Sequence, residues 1–221
     1  MTVHVPCFDA IDYSRPEAYW QVSPSFAGDE RILRVAEGLR VANQEATLGA
    51  IWRWIRDNLP EEKNQTDYRW RTASEILARG LYYGCAEHAL VYGSLSRGCG
   101  IPTVWVKSLD VPWIRTFVSS GKFNGGSGHV YLEVFVNGIW RLLDATQDEL
   151  FDCYMTSERL LPGRDVQRYA YDKGGDAHEL VLSLDWDPWQ KETRQFFSGF
   201  DLEELSRARS AVASRGRRLA V

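Results

Sequence analysis

The dipeptide Asn137-Gly138 lies between two alternating runs and constrains the fold of this chain more than any other feature. It separates residues 129–136 from residues 139–144. The first run places valine or leucine at every second position, which is the period of a strand with one buried face. Asn-Gly between two such runs is the strongest short-range signal for a two-residue hairpin turn. The sequence therefore predicts an antiparallel hairpin here.

The register of this hairpin predicts a contact between His129 and Asp144. A two-residue turn pairs Val136 with Ile139, and continuing that register places His129 opposite Thr146. Asp144 is then the diagonal neighbour of His129 on the same face of the sheet, within reach of a long side chain. A slip of one residue would put the two on opposite faces. An ordinary polar pair on a sheet surface is the alternative interpretation.

Cys85 lies at the start of a predicted buried helix. Thr72 and Glu75 have the spacing of a capping box, which predicts a short helix closed by Gly80. Small and apolar residues then recur at helical spacing from Cys85 to Arg97. Unpaired N–H groups and the positive end of the helix dipole favour a thiolate at this position. An imidazole nearby lowers the pKa of a thiol further. A buried core cysteine is the alternative interpretation.

Four stretches of the sequence together resemble the transglutaminase-like superfamily. That family commonly shows Gly-x-Cys, Arg-x-x-Gly-Ile-Pro, His-x-Trp-x-Glu-Val and Asp-Pro-Thr. The resemblance covers about residues 45–150, and the combination is specific although each motif alone is weak. The corresponding stretches here are Gly84-Cys85-x-x-x-Ala89, Leu95-x-Arg97-Gly98-Cys99-Gly100-Ile101-Pro102, His129-x-x-x-Glu133-Val134 and Gly138-Ile139-Trp140-x-x-x-Asp144-Ala145-Thr146.

The resemblance implies a catalytic role for three residues: Cys85 as nucleophile, His129 as base and Asp144 as the group that orients the base. Tyr131 replaces the usual tryptophan and Ala145 the usual proline, and both changes leave these three groups intact. The implied fold class is α+β, a papain/transglutaminase-like core in which N-terminal helices, including the nucleophile helix, pack on an antiparallel β-sheet.

The implied activity is acyl transfer on an amide bond of a peptide or protein through a thioester, without cofactor or metal. Hydrolysis is favoured because nothing marks a dedicated site for an amine acceptor. A protein-crosslinking transglutaminase is one alternative. A non-catalytic transglutaminase-like binding module is the other, although degenerate copies usually lose the nucleophile or the base.

An oxyanion needs hydrogen-bond donors, and several groups are candidates. The backbone N–H of Cys85 is the first, because it opens a helix. Trp70, Tyr68 and Tyr82 are candidates for a side-chain donor or for the cleft wall, and the sequence does not choose among them. His88 follows Cys85 by three residues on the same helix, so it is an alternative base, but it has no evident orienting acid.

The cysteine pattern argues against a structural zinc site. Cys7, Cys85, Cys99 and Cys153 contain no Cys-x-x-Cys pair. This also disfavours the peptide N-glycanase branch of the superfamily, although residues 85–89 resemble its Cys-x-Glu-x-Ala motif. Arylamine N-acetyltransferases share the order Cys, His, Asp, but the Ile-Pro element and the Asp-Ala-Thr ending fit them poorly.

Length and composition suit a single domain over residues 1–221, with the family-like core at about 45–150 and a C-terminal hairpin and helical extension at about 160–221. A net charge of −4 does not attract nucleic acid or an anionic membrane surface. Residues 1–16 lack the pattern of a signal peptide, and irregular cysteines suit a reducing compartment. We therefore expect a cytoplasmic protein with a peptide or protein substrate and no nucleic-acid or membrane partner. The oligomeric state stays open.

Further elements follow from periodicity and from breaker residues. Residues 111–115 are a candidate substrate lip or an aromatic plug. The remaining predicted elements are helices over residues 29–42 and 48–59, a strand over 103–107, a second hairpin with arms 166–171 and 179–186, and terminal helices opening at Asp187 and Asp201.

Overall fold

A computed structural model describes residues 4–20, 30–64, 71–123, 127–163, 166–180, 186–208 and 216–219. Within these ranges the chain forms seven α-helices, a short 3-10 helix at Pro16–Tyr19 and one seven-stranded sheet. None of the described helices combines the length and the apolar character that a membrane crossing requires.

The helices are α1 (Glu30–Leu39), α2 (Gln44–Asn58), α3 (Ala73–Arg79), α4 (Gly84–Gly98), α5 (Val111–Ser120), α6 (Trp186–Phe197) and α7 (Glu203–Arg207). The strands are β1 (Thr103–Asp110), β2 (Gly128–Val136), β3 (Ile139–Asp144), β4 (Glu149–Phe151), β5 (Leu160–Leu161), β6 (Arg168–Gly174) and β7 (Arg217–Arg218). They are ordered β5-β6-β1-β2-β3-β4-β7, and every neighbouring pair is antiparallel. The predicted α+β class is confirmed.

The hairpin β2–β3 has the predicted register. Val136 pairs with Ile139, and the ladder continues to Leu132. Asn137 and Gly138 have φ values of 55° and 83°. Both therefore adopt the left-handed conformation that a type I′ turn requires, and its twist matches that of the flanking strands.

One face of the sheet packs against helices α1 to α4. The helix α4 lies close to the sheet at Gly93, where a Cβ atom would lie 2.6 Å from an indole carbon of Trp105 on β1. The same indole donates a hydrogen bond of 3.2 Å to the carbonyl oxygen of Ala89. The absence of a side chain at Gly93 thus allows the nucleophile helix to lie directly on the strand.

The second face of the sheet is also buried. Phe8 from the N-terminal segment, with Phe151 and Tyr154 from the segment after β3, packs against Tyr131 of β2. Beneath this cover Lys173 forms an ion pair of 2.6 Å with Glu133, and both side chains are 0% exposed. The sheet is therefore the middle layer of the molecule, and polar positions of β2 lie in the interior.

The predicted helices agree with the structure to within a few residues. The first, α1, lies inside the predicted range 29–42, and α2 ends at Asn58, ahead of Pro60. The capping box of α3 is present in both directions, and Gly80 closes the helix with φ of 74°. The terminal helices α6 and α7 begin at Trp186 and Glu203. Capping residues and helix-breaking residues were therefore sufficient to predict these helices from the sequence.

The predicted second hairpin needs correction. Its first arm is β6, but this strand pairs with β1 and β5 rather than with residues 179–186. Glu179 and Leu180 lie in a turn, Trp186 already belongs to α6, and residues 181–185 lie outside the described ranges. Most of the predicted second arm thus lies outside the described residues, and the strands that neighbour β6 precede it in the chain.

Residues 111–115 form the first half of α5 rather than a loop at the cleft. The Trp113 ring stacks on Phe117 at 5.2 Å and meets Phe123 and Phe197 edge-on. Of the two interpretations of this stretch, the aromatic plug is the one that the structure supports.

Candidate active site

The turn before α4 places Cys85 at the second helical residue. Tyr83, the residue ahead of the helix, has no side-chain capping bond. Its backbone N–H instead donates to Glu87 Oε2 at 2.7 Å. The N–H of Cys85 is among the first N–H groups of a helix, which have no acceptor within it. It is therefore available to a ligand at this end of α4.

Glu87 fixes the nucleophile turn through a buried charge network. Its two carboxylate oxygens accept hydrogen bonds from Arg71 Nη1 at 3.0 Å and from Arg79 Nη2 at 2.6 Å. The Arg79 guanidinium also lies over the Tyr83 ring, 4.5 Å from its centroid. The sequence revealed Glu87 only through its likeness to a family motif, because its arginine partners lie before α3 and at its end, with no regular spacing.

The predicted contact between His129 and Asp144 is present. His129 Nε2 lies 3.0 Å from Asp144 Oδ2. The other carboxylate oxygen, Oδ1, accepts from Thr146 Oγ1 at 2.7 Å and from two backbone N–H groups, of which that of Thr146 is at 3.1 Å. A carboxylate can only accept hydrogen bonds, so Nε2 carries a proton and Nδ1 remains for the thiol.

Cys85 meets the imidazole of His129 across the junction of α4 and β2. The thiol and the imidazole line the same cavity, and each shifts the pKa of the other. Cys85 Sγ also lies 3.9 Å from the carbonyl oxygen of Gly128, the residue before His129. The helix layer thus supplies the sulfur, and the sheet supplies the ring and the acid.

The electrostatics of the three groups favour a thiolate–imidazolium pair. Burial alone would raise the pKa of Cys85, but the hydrogen bond and charge of His129, with smaller contributions from the Val130 N–H and Arg168, lower it below the ordinary thiol value. Burial alone would lower the pKa of His129, yet its bonds to Asp144 and Cys85 raise it to about 9. The pKa of Asp144 is lowered despite burial, chiefly by its bond to His129.

These groups line a cavity of about 450 Å³ at the end of the sheet. Its wall includes Tyr82, one of the predicted oxyanion or cleft residues. Burial, helped by the charge of Glu61, raises the pKa of the Tyr82 hydroxyl. The other two candidates, Tyr68 and Trp70, lie outside the described residues. The full lining is Glu61, Tyr82, Gly84, Cys85, His129, Tyr131, Asp144, Thr146, Gln147 and Arg168.

His88, the alternative base, lies in the interior behind the cavity and does not line it. Its ring meets the Tyr82 ring edge-on at 4.9 Å. Burial lowers the pKa of His88 to about 4, so the ring is neutral at physiological pH. Its Nδ1 has no hydrogen-bond partner among the described residues. The position of His129 beside Cys85 and Asp144 makes it the better base.

Tyr131 and Arg168 complete the cavity wall beside His129. The Tyr131 ring stands perpendicular to the His129 ring at 4.7 Å, and its hydroxyl donates to the carbonyl oxygen of Pro162. No sequence pattern indicated Arg168, because it lies on β6, beyond the range of the family motifs. Among the described residues, no three histidine, cysteine, aspartate or glutamate side chains are grouped as metal ligands.

Two solved structures were compared with the fold of this chain. The fold is similar to a solved structure named as a candidate cysteine protease from Cytophaga hutchinsonii, with a TM-score of 0.53 and 17% identity. The alignment covers 82% of this chain and 54% of the other, so the chain spans about half of that protein. A structure named as a candidate protease from Parabacteroides distasonis aligns with a TM-score of 0.42 and 12% identity, over 70% of this chain and 29% of the other.

Among curated proteins no sequence matches the chain. The family model described as the transglutaminase-like superfamily matches residues 34–145, just over half of the 221 residues. This range includes β1, the hairpin β2–β3 and α4, and with them the sulfur, the imidazole and the carboxylate. The chain belongs to the transglutaminase-like superfamily.

Proposed function

We propose that Cys85, His129 and Asp144 are the catalytic triad of a cysteine hydrolase that cleaves an amide bond in a peptide or protein. The observation that carries this proposal is the convergence of the three groups in one cavity, where His129 Nε2 lies 3.0 Å from Asp144 Oδ2 and the imidazole lowers the pKa of the thiol. It lies at a helix N-terminus in the wall of a cavity. Helix dipole, imidazole and acid all favour the charged nucleophile.

In the first half-reaction the thiolate of Cys85 attacks the carbonyl carbon, and the C–S bond forms as the carbonyl π electrons move to oxygen. The N–H of Cys85 and the Tyr82 hydroxyl are the proposed donors to this oxyanion. The His129 imidazolium then protonates the amide nitrogen, the C–N bond breaks, and an amine or ammonia leaves. A thioester on Cys85 remains, with His129 neutral.

In the second half-reaction His129 takes a proton from water as the water oxygen bonds to the thioester carbon. The C–S bond breaks, the carboxylic acid product leaves, and the thiolate–imidazolium pair is restored. Asp144 holds the ring in one orientation and stabilises its charged form throughout. A primary amine in place of water would give a new amide, which is the transamidation alternative.

Family membership and fold support a cysteine-based reaction of this class. We propose hydrolysis as its outcome because water is always present in an open cavity. A cytoplasmic location is part of the proposal, since a reactive thiol persists best in a reducing compartment.

The first test is alkylation of Cys85 by iodoacetamide across pH, with peptide mass spectrometry resolving each cysteine. We expect Cys85 to react rapidly well below about pH 8.5, the pKa of an ordinary thiol. His129→Ala should move the inflection for Cys85 up to that value. Cys153 is exposed and supplies an internal reference rate in the same sample. Equal pH profiles for the two cysteines, unchanged by His129→Ala, would refute the proposal.

Turnover should follow a different pH profile from alkylation. Because the pKa of His129 is raised to about 9, the imidazolium that protonates the leaving group is present below that pH and lost above it. Peptide hydrolysis should therefore decline above about pH 9, whereas alkylation, which needs only the thiolate, should not. Adding a primary amine during turnover separates hydrolysis from transamidation by product mass. Ordinary labelling with no turnover would indicate a binding module.

A further inference from the structure

We propose that Arg168 is a specificity-determining residue that binds a carboxylate of the substrate next to the scissile amide. This rests on the proposed function and names its substrate class, namely peptides with a free carboxylate close to the bond that is cut. The inference begins from where the sheet places Arg168 and from which of its hydrogen-bond donors are in use.

The strand order puts Arg168 on the opposite side of His129 from Asp144. His129 on β2 pairs with Ser108 of β1, and Asp110 of β1 pairs with Arg168 of β6. Because the strand order is β6-β1-β2-β3, the guanidinium of Arg168, the imidazole of His129 and the carboxylate of Asp144 follow one another across the end of the sheet. Arg168 and Cys85 both line the cavity, so the cation faces the same space as the nucleophile.

Arg168 is held in place, but its donors are not all used. Its Nη1 lies 3.0 Å from Asp110 Oδ1 and donates to the carbonyl oxygen of Ser127 at 3.4 Å. Its Nε and Nη2 donate no hydrogen bond to any residue within the described ranges. The side chains of Arg168 and Asp110 are 17% and 16% exposed. One edge of the guanidinium is therefore held in place, and Nε and Nη2 are the donors that we assign to a ligand.

A carboxylate is the chemistry that this arrangement recognises. A guanidinium presents parallel N–H donors whose spacing matches two carboxylate oxygens, and it stays charged at any physiological pH. Among the described cavity residues Arg168 is the one lysine or arginine. The charge of Asp144 is already engaged by His129. The exposed carboxylate of Glu61 also lines the cavity, so the preference for an anion is local to Arg168, where an entering carboxylate would meet a partly dehydrated cation.

Two small alkylating agents test the site without knowledge of the substrate. Iodoacetate and iodoacetamide both transfer their CH₂ group to the thiolate of Cys85 with loss of iodide, and they differ in carrying a carboxylate or a neutral amide. Rates are compared at low ionic strength and at a pH where Cys85 is fully ionised. We expect Arg168→Gln to lower the iodoacetate-to-iodoacetamide rate ratio by about three- to tenfold.

Arg159→Gln is the matched control. Arg159 is 26% exposed and pairs with Asp9 at 3.4 Å, but it does not line the cavity. This variant should keep the wild-type ratio. If Arg168→Gln does not fold, Asp110→Asn replaces it. Removing the counter-ion releases donors of Arg168, so the ratio should rise. An unchanged ratio in Arg168→Gln, or an unchanged or lower ratio in Asp110→Asn, overturns the proposal.

Peptides then identify the source of the carboxylate. A synthetic hexapeptide library is prepared with free or amidated C-termini, and matched sets carry Glu or Gln at one internal position. A preference for free C-termini identifies an α-carboxylate, and a preference for Glu identifies a side chain. Arg168→Gln should abolish either preference through KM, so that the ratio of KM for neutral peptides to KM for charged peptides falls to about one. Equal loss on charged and neutral peptides would refute the assignment.

The two proposals fail in different ways. Slow alkylation of Cys85 by both reagents, with no turnover of any peptide, contradicts the triad. Fast alkylation with the same reagent ratio in wild type and Arg168→Gln leaves the triad intact and contradicts the specificity role.

Discussion

The buried ion pair Glu133–Lys173 is predicted to control the stability of the sheet's second face. Glu133 belongs to the His-x-x-x-Glu-Val motif, yet it points away from α4 and takes no part in the cavity. It accepts hydrogen bonds from the hydroxyls of Tyr13 and Tyr154 as well as from Lys173. The perturbations are Glu133→Gln, Lys173→Met and the double variant.

The expected magnitude follows from the burial of the pair. Both side chains are 0% exposed and 2.6 Å apart. Removing either charge leaves the other uncompensated in the interior, which costs about 3–5 kcal/mol. In the double variant the neutral amide oxygen introduced by Glu133→Gln can still accept from the hydroxyls of Tyr13 and Tyr154, so no charge is stranded. We therefore expect a coupling free energy of about 2–4 kcal/mol. The double variant should lose much less stability than the two single variants lose together.

Urea unfolding followed by tryptophan fluorescence measures this cycle. Trp140 reports on the region directly, because its ring contacts Tyr13 at 5.3 Å. The control is the exposed pair Arg207–Asp201, whose removal should change the free energy of unfolding by less than about 1 kcal/mol. The reasoning would be refuted if the single variants had free energies of unfolding within about 1 kcal/mol of wild type and showed no coupling.

Three further predictions concern the nucleophile helix and the acid. Glu87→Gln should destabilise the protein by about 3 kcal/mol in urea, because the buried Arg71 and the half-buried Arg79 lose the carboxylate charge that they share, and it should slow the alkylation of Cys85. Thr146→Val removes one donor to the acid that orients His129, and should slow peptide turnover about fivefold and lower the free energy of unfolding by about 1 kcal/mol, since two backbone N–H groups still donate to the same oxygen. Gly93→Ala should cost about 1–3 kcal/mol by urea unfolding, since its Cβ would meet an indole carbon at 2.6 Å, whereas Gly38→Ala, with open space around it, should not destabilise.

The parts of the fold that the sequence predicted are those set by short-range interactions. The turn Asn137-Gly138 fixes the register of β2 and β3, and that register alone brings His129 to Asp144. The capping box at Thr72 likewise depends on residues three positions apart. In both cases the determining contacts are between residues close in the chain, so the sequence pattern predicts them without knowledge of the tertiary structure.

What the sequence could not predict depends on partners that are distant along the chain. Lys173 lies 40 residues from Glu133, and Arg168 reaches the cavity from a strand beyond the family motifs. The same reason applies to β6, whose neighbours β1 and β5 both precede it in the chain. Alternation predicts that a segment can be a strand, but it does not identify the neighbour.

The geometry of the site depends on one packing contact more than on any hydrogen bond within it. Cys85 belongs to the helix layer, whereas His129 and Asp144 belong to the sheet, so the distance from sulfur to ring is set by how closely α4 lies on β1 and β2. That spacing is tight at Gly93, where a Cβ atom would lie 2.6 Å from an indole carbon of Trp105. An added methyl group there would push the helix outward and move the sulfur away from the ring. The loss of thiolate reactivity in Gly93→Ala should therefore exceed what its loss of stability explains, because the folded protein itself would hold the triad apart.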